Sequence, residues 1–350
     1  MLITVIMPVY NTAKWLGESL DSLLAQTFGD WEAICVDDGS TDDSPGILDE
    51  YARRDRRIRV IHKKNEGVSI ARNTALAEAD GEWVGFVDSD DLLECDWLQK
   101  VANELRKRPV DLVRCGFKWM FEGESGTRIV GRGKKNFVAL SNSDEVMRWG
   151  WGVWPREGMV WMCFYRREML APSGVVFEPG SALLEDMFFN MRLLPYINSM
   201  AQIDNDGYLY RQRDGSALRC GRRTFVATEQ ILRSGLDVYV SQQKRLEALG
   251  LFPLAFKQMF LLVWGNCGSW LFAHPQEEKG KGADVRRLAK CVLLPCVKDR
   301  FPWFADQVNG VIANGLGLLC GSMLAHWVCR YAFRMAWNTR DVVRRLTRKN

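Results

Sequence analysis

The sequence predicts an α/β fold with a mostly parallel sheet, followed by a helical C-terminal region. Strand-like apolar runs alternate with helical patterns through residues 1–120. Polar clusters follow three of those strands, where a parallel sheet presents its carboxyl edge. Beyond residue 225 the spacing of apolar residues is helical. Together these patterns favour one large sheet flanked by helices.

The elements predicted for the first part of the chain alternate in order. Runs rich in β-branched residues indicate strands, whereas apolar residues recurring at helical spacing indicate helices. The predicted strands are 2–9, 31–36, 58–62, 82–87 and 111–117. The predicted helices are 12–28, 44–54, 69–78 and 96–106. Such alternation requires crossover connections, which make neighbouring strands parallel. The polar, glycine-rich segment 119–146 is expected to be a mobile loop or a hairpin.

The composition is that of a globular protein without a nucleic-acid partner. The 350 residues are 47% hydrophobic and 26% charged, and a formal net charge of +4 is too small to indicate nucleic-acid binding. Ten cysteines without a CxxC spacing, and no secretory pattern after Met1, indicate free thiols in a reducing cytoplasm. Residues 310–329 come nearest to a membrane span, but polar interruptions make them a weak candidate.

Residues 87–91, with the sequence VDSDD, are the most informative segment of the chain. They follow a strand-like run and place three carboxylates within four residues, where the negative charges repel one another. A hard cation such as Mg²⁺ or Mn²⁺ would relieve that repulsion and keep positions open for substrate phosphates. The alternative is an acidic turn in which Asp90 or Asp91 caps the next helix.

Two further polar strand ends favour a ligand site over a simple acidic turn. The first predicted strand ends at residues 8–11 (PVYN) and the second ends at residues 37–40 (DDGS). In an open α/β sheet these ends and the acidic segment face one crevice. The sequence has neither GxGxxG nor a P-loop pattern, so it indicates neither a dinucleotide fold nor a P-loop enzyme.

Two residues near this crevice have alternative roles. Asp38 would accept a hydrogen bond from the N3–H of a uracil ring, or it would cap the helix that follows. Arg72 lies near the start of a predicted helix that a glycine precedes. There the guanidinium and the backbone amides would meet a diphosphate, or Arg72 would be a surface residue on a capped helix.

Four segments together resemble the glycosyltransferases of family 2. They are residues 8–11 (PVYN), 36–42 (VDDGSTD), 67–73 (GVSIARN) and 87–91 (VDSDD). The resemblance covers residues 1–120 closely. It continues more loosely through residues 164–168, 184–189 and 208–211. The family implies a GT-A fold, a nucleotide-sugar donor, a divalent cation and inversion at the anomeric carbon. The QxxRW motif of processive synthases is absent, which favours transfer of a single sugar.

The resemblance implies a role for each matching residue. Asp88 and Asp90 would form the DxD pair that holds Mn²⁺ or Mg²⁺, with Asp90 the more direct ligand. Asp186 would be the general base, although Glu185 and Asp186 would also suit the N-terminus of a helix. The residues expected to bind the donor, taken as a UDP-sugar, are Pro8, Tyr10, Asp38, Arg72, Asp88 and Ser89.

The domain prediction follows from this resemblance. We expect a catalytic domain over residues 1–220, in which 1–120 binds the nucleotide-sugar and 121–220 faces the acceptor. Residues 221–350 would form a helical C-terminal region. The tryptophans between positions 149 and 161 would contact a sugar or lipid acceptor, or belong to the core.

Residues 330–350 form a basic amphipathic pattern. They hold seven Arg or Lys residues and one Asp, and at helical spacing most basic side chains share one half of the helix. Met335, Val342 and Leu346 fall on the other half. Such a helix suits an anionic membrane surface, so we expect a cytoplasmic protein that is peripheral on the inner face of the membrane. The alternatives are a solvated helix or a frayed tail.

The leading functional hypothesis is a metal-dependent glycosyltransferase that acts on a glycan or lipid-linked acceptor in surface polysaccharide biosynthesis. A nucleotidyltransferase also uses paired aspartates and a cation, but a basic, glycine-rich loop would be expected after its first strand. A non-catalytic nucleotide-sugar-binding scaffold would be expected to have lost Asp90 or Asp186, and both are present.

Overall fold

The computed structural model describes residues 2–108, 110–123, 126–131, 137–180, 184–213, 225–251 and 255. The predicted basic tail at 330–350 and the weak span candidate at 310–329 lie outside the described residues. The chain divides into two compact units. The first comprises residues 1–223 with 230–262, and the second comprises 224–229 with 263–350. The sheets and the site described below belong to the first unit.

The secondary structure follows the predicted alternation through the first half of the chain. The strands are β1 (Ile3–Val9), β2 (Trp31–Asp37), β3 (Ile58–His62), β4 (Trp83–Phe86), β5 (Leu92–Leu93), β6 (Leu112–Arg114), β7 (Lys118–Gly123), β8 (Gly126–Gly131), β9 (Val138–Leu140), β10 (Cys163–Arg166), β11 (Met200–Gln202) and β12 (Tyr208–Gln212). The α-helices are α1 (Ala13–Leu24), α2 (Ser44–Arg54), α3 (Val68–Ala77), α4 (Trp97–Lys107), α5 (Ser143–Glu157), α6 (Arg167–Ser173), α7 (Glu185–Leu193) and α8 (Phe225–Ala248).

The central sheet has eight strands in the order β3-β2-β1-β4-β10-β6-β11-β9. Six of them run in one direction, whereas β10 and β9 run in the opposite direction. The predicted α/β fold with a mostly parallel sheet is therefore confirmed. The sequence did not predict that β10 would enter the sheet and separate β4 from β6.

The core forms around the parallel strands because their side chains are apolar on both faces. Every residue of β2 and β4 is buried, as are six of the seven residues of β1. Strands of this kind require helices on both sides. Helix α1 supplies one such cover, since three of its four leucines recur at helical spacing and are inaccessible to solvent: Leu16, Leu20 and Leu23.

A second sheet has four strands in the order β5-β12-β7-β8. Strands β7 and β8 form an antiparallel hairpin, so the hairpin alternative for residues 119–146 describes the first part of that segment. Strand β12 pairs with β5, which immediately follows the acidic segment 87–91. The second sheet therefore brings residues from positions 208–212 to the acidic segment.

The tryptophan-rich segment belongs mainly to the core. The side chains of Trp151 and Trp154 on α5 are inaccessible to solvent, and Trp161 is 4% exposed. Trp149 is only half-buried and meets Trp154 edge to face. The core explanation thus applies to Trp151 and Trp154. Among the described residues, no helix combines the length and the apolar character needed to cross a bilayer.

Candidate active site

The ends of β1, β2 and β4 lie side by side at the carboxyl edge of the central sheet. Val9 is aligned with Asp37, and Ile6 is aligned with Phe86. One residue further along, the amide of Asp38 donates to the carbonyl of Val9 at 2.9 Å. The three polar segments that were predicted to share a crevice therefore do begin at one edge of the sheet.

The loop after β1 is fixed to the loop after β2 by short hydrogen bonds. Asn11 has a φ of 52°, a left-handed conformation that is rare outside glycine. Its amide donates to Ser40 Oγ at 3.0 Å, and its Oδ1 accepts from the amide of Thr41 at 2.8 Å. Pro8 lies within β1, whereas the Tyr10 ring is 50% exposed at the edge. Tyr10 is thus an exposed aromatic surface on a rigid loop.

Asp38 organises the loop that precedes α3. Its side chain is buried, and its Oδ1 accepts from Lys63 Nζ at 3.1 Å and from the amide of Glu66 at 3.0 Å. Its Oδ2 accepts from the amide of Gly67 at 2.8 Å. These bonds fix the N-terminus of α3, not that of the helix directly after Asp38. Each carboxylate oxygen accepts up to two hydrogen bonds, so Oδ2 has capacity for a further donor.

The first two polar residues of the acidic segment are held by different neighbours. The amide of Asp88 donates to the Tyr208 hydroxyl at 3.1 Å, while its carboxylate is 28% exposed. Ser89 is buried, and its hydroxyl accepts from Thr12 Oγ1 at 3.0 Å. The backbone of the segment is therefore fixed while the Asp88 carboxylate stays open to the crevice.

Asp91 has a structural role that the sequence did not reveal. It is fully buried, and its carboxylate accepts from the Tyr208 hydroxyl at 2.6 Å and from the amide of Arg211 at 2.8 Å. Burial, followed by the charges of Asp90 and Asp88, raises its pKa well above the ordinary value. Asp91 does not cap a helix, since α4 begins after Asp96. The signal that could have found this contact was the YLYR segment at 208–211.

The residues of the DxD pair suit a hard divalent cation. Burial and the neighbouring Asp88 charge raise the pKa of Asp90, against the opposing charge of Arg213, with which Asp90 forms an ion pair. A cation between the two carboxylates would relieve this repulsion. Within the described residues no group of three or more His, Cys, Asp or Glu side chains is arranged to hold a metal by itself. Asp88 and Asp90 would hold the cation together with substrate oxygens, as Mg²⁺ sites commonly do.

Arg72 joins the acidic segment to the start of α7. Its guanidinium is 3.2 Å from Asp88 Oδ1 and 2.8 Å from Glu185 Oε1, and the side chain is 5% exposed. Arg72 is therefore not a surface residue, and its guanidinium is already paired with two carboxylates of the protein. It neutralises two carboxylates that come from distant parts of the chain.

Asp186 lies next to this ion pair, at the N-terminus of α7. Its Oδ1 accepts from the amide of Met187 at 2.7 Å, and the preceding Leu184 has a left-handed φ of 62°. Burial and the Glu185 charge raise the pKa of Asp186 to about 7, while Arg72 opposes the increase. A carboxylate with such a pKa exchanges protons readily near neutral pH. The location at a helix N-terminus, which was the simpler explanation, is thus compatible with acid–base chemistry.

The chain is similar in sequence to known glycosyltransferases. The model of the family described as glycosyl transferase family 2 matches residues 4–170. The putative glycosyltransferase EpsH of Bacillus subtilis (strain 168) is 30% identical over 251 residues, which are 68% of this chain and 67% of EpsH. The chain belongs to glycosyltransferase family 2. The uncharacterized glycosyltransferase EpsJ of the same organism is 34% identical over 223 residues, and this match spans 61% of the chain and 62% of EpsJ.

A solved structure supports the fold of this family 2 glycosyltransferase. The crystal structure of S. aureus TarS 1-349 in complex with UDP-GlcNAc superposes with a TM-score of 0.67 at 21% identity. The match covers 90% of this chain and 88% of that one. The GT-A fold implied by the sequence resemblance is therefore confirmed.

Proposed function

We propose that the protein is an inverting, metal-dependent glycosyltransferase that moves a single sugar from a UDP-sugar to a hydroxyl group of a glycan or lipid-linked acceptor in surface polysaccharide biosynthesis. The observation that carries this proposal is the position of Arg72 between Asp88 and Glu185. Through these two ion pairs Arg72 links Asp88, which is expected to meet the donor's cation, to Glu185. The next residue in the chain is Asp186, which is expected to activate the acceptor.

The donor-binding part of the proposal rests on the crevice at the ends of β1 and β2. The exposed Tyr10 ring offers a surface on which a nucleobase would stack, and Pro8 lies in the same strand end. The free capacity of Asp38 Oδ2 would serve the N3–H of uracil. TarS, which shares the fold, has been crystallised with UDP-GlcNAc. A uridine diphosphate donor is therefore the first to test.

The cation expected at Asp88 and Asp90 would be Mn²⁺ or Mg²⁺. When bound, it would offset the negative charge that develops on the leaving diphosphate. Two hydrogen bonds fix the acidic segment at the crevice. The Ser89 hydroxyl accepts from Thr12 Oγ1, and the Asp88 amide donates to the Tyr208 hydroxyl, so the segment that carries both carboxylates is held at the crevice.

In the chemical step, Asp186 would accept the proton of the acceptor hydroxyl. The acceptor hydroxyl would donate its proton to the Asp186 carboxylate as its oxygen forms a bond to the anomeric carbon. The bond between that carbon and the diphosphate oxygen breaks in the same step, so UDP leaves and the configuration inverts. A pKa of about 7 suits this role because it combines sufficient basicity with a deprotonated population at neutral pH. Arg72 would limit the pKa by stabilising the charged form.

The experiment that tests the proposal is a screen of UDP-sugars for release of UDP in the presence of Mn²⁺. We expect release from at least one UDP-sugar, loss of release on removal of the cation, and loss of release in Asp90→Asn. Family membership favours sugar transfer over nucleotidyl transfer, and the product distinguishes the two. A nucleotidyltransferase would instead form a UDP-sugar from UTP and a sugar phosphate and release pyrophosphate, and a scaffold would bind UDP without turnover.

The membrane part of the proposal rests on the basic tail at 330–350, which carries seven Arg or Lys residues and one Asp. Each basic residue near an anionic surface contributes on the order of 1 kcal/mol, weakened by salt. We expect the full chain to sediment with anionic vesicles at low salt, and we expect the Arg344→Glu, Arg345→Glu double variant to stay in the supernatant with donor hydrolysis unchanged. A wild-type protein that stays in the supernatant would contradict this part alone.

A further inference from the structure

The ion pair between Arg213 and Asp90 has no role in the reaction described so far. Arg213 Nε faces Asp90 Oδ2, and the two side chains are 27% and 16% exposed. Asp90 is also the residue expected to hold the cation most directly. The position next to Asp90 is therefore taken by a positive group that belongs to the protein itself.

Arg213 contacts both the Asp90 carboxylate and the ring of Trp15. Its guanidinium carbon lies 4.5 Å from the centre of the Trp15 ring, where a cation is attracted to the aromatic face. Arg213 follows the end of β12, whereas the preceding Arg211 is 2% exposed and fixed by Glu18, Asp91 and the carbonyl of Asp90. Arg211 thus anchors the end of β12. Arg213 is partly exposed to solvent and contacts the Asp90 carboxylate and the Trp15 ring.

A divalent cation and a guanidinium cannot both approach the same carboxylate oxygen closely, because like charges repel and the two groups would overlap. Entry of the cation at Asp90 would displace Arg213 from Oδ2. The displaced charge then needs another anion within reach of its side chain. The diphosphate of the donor is such an anion, since the cation that replaces Arg213 would be shared between Asp90 and the diphosphate oxygens.

We propose that Arg213 is an exchangeable counter-ion, which neutralises Asp90 in the free enzyme and transfers to the donor diphosphate when the cation binds. This inference rests on the proposed function, because it assigns Arg213 a donor-binding role at the same site. It also gives a physical reason for linked binding of cation and donor. Without a diphosphate, the cation must compete with Arg213, whereas with a diphosphate present Arg213 gains a new partner.

The test is a pair of titrations on the wild-type chain and on Arg213→Gln, which keeps much of the side-chain length and removes the charge. Mn²⁺ is titrated alone, with free Mn²⁺ followed by electron paramagnetic resonance, and UDP is titrated at saturating Mn²⁺ by calorimetry. We expect Arg213→Gln to bind Mn²⁺ alone about threefold more tightly, because a change of that size corresponds to the free energy of a partly exposed ion pair. We expect the same variant to bind UDP at least about tenfold more weakly, because a change of that size corresponds to the free energy of one charge-assisted hydrogen bond.

Opposite changes in the two affinities are the result that a purely structural role would not produce. Arg54→Gln is the matched control, because it removes the same charge from an exposed arginine paired with Glu50 on α2. Equal Mn²⁺ affinity in the wild type and Arg213→Gln would overturn the inference, as would tighter binding of UDP by the variant. A wild type that binds no UDP would contradict the proposed function, whereas the titration with Mn²⁺ alone would still test the counter-ion role.

Discussion

The Arg72 guanidinium lies 2.8 Å from the Glu185 carboxylate, although the two residues are 113 positions apart in the chain. The same guanidinium is 3.2 Å from Asp88 Oδ1. Arg72 thus connects the acidic segment after β4 to the helix that carries Asp186. This connection holds the two halves of the proposed reaction in a fixed geometry and sets the electrostatics of both.

Arg72→Gln should destabilise the protein and raise the pKa of Asp186 further. The variant leaves the partly buried carboxylates of Asp88 and Glu185 without the guanidinium that pairs with them. Removing one partner of a buried ion pair typically costs about 3 kcal/mol or more. Urea unfolding would measure the loss of stability. In the same variant the midpoint of the pH–rate profile should move to higher pH, because Arg72 stabilises the charged form of Asp186. Arg72→Lys, which keeps the charge, should recover part of both effects; an unchanged midpoint in Arg72→Gln would exclude the electrostatic role.

The rate of sugar transfer should rise with pH up to about neutrality and then level off. Asp186 accepts a proton only when it is deprotonated, and burial together with the Glu185 charge raises its pKa to about 7. A cation near Asp88 favours the carboxylate form, so the midpoint in the complete complex should lie at or below that value. Turnover measured across the pH range at saturating donor and Mn²⁺ tests this. A rate that falls as the pH rises toward 7 would be incompatible with a carboxylate base.

Tyr208→Phe should weaken both stability and cation binding while leaving the aromatic packing intact. The hydroxyl accepts from the Asp88 amide and donates to Asp91, whereas the ring stacks on Trp161 at 4.6 Å. Loss of the hydroxyl leaves the buried Asp91 with one partner fewer, at a cost of about 1–3 kcal/mol. Urea unfolding and Mn²⁺ titration in the presence of UDP provide the two readouts. Tyr196→Phe, at an exposed tyrosine, is the control and should change neither.

His62 should stabilise the fold more at low pH than at high pH. Its ring nitrogens lie 3.0 Å from Asp49 Oδ1 and 3.1 Å from Asp37 Oδ2, and these hydrogen bonds raise its pKa above the ordinary 6.5. A raised pKa means that the stabilisation is fully present below about 6.5 and is lost as the pH rises through the folded-state pKa. The difference in unfolding free energy between the wild type and His62→Gln should therefore be larger at about pH 5.5 than at about pH 8.5. These two values lie roughly one pH unit below and two units above the ordinary histidine pKa. Equal differences at the two pH values would refute the linkage.

The local elements of the fold could be predicted because each carries its own signal. Helix α2 and strand β3 begin and end at the predicted residues, since apolar periodicity is a property of neighbouring positions. Strand β10 was missed because four residues carry too short a pattern, and its pairing with β4 and β6 depends on distant segments.

The candidate site could be predicted only where a motif marks it. The acidic segment and the Glu-Asp pair were recognisable as sequences, and so were Asp38 and Arg72. The pairing of Arg72 with Glu185 and the anchoring of Asp91 by Tyr208 were not, because both depend on contacts between residues more than 100 positions apart. Arg213 carries no motif of its own, so its contact with Asp90 emerges only when β12 pairs with β5.

The most direct test of the account is the effect of Asp186→Asn on a UDP-sugar that supports turnover. The variant keeps the shape of the side chain and removes the proton acceptor, so kcat should fall by roughly 10²-fold or more. Affinity for UDP, measured by calorimetry with Mn²⁺, should stay close to that of the wild type, and Glu168→Gln, at an exposed position, should change neither quantity. Near wild-type turnover in Asp186→Asn would contradict the account and direct the search for the base to Glu185.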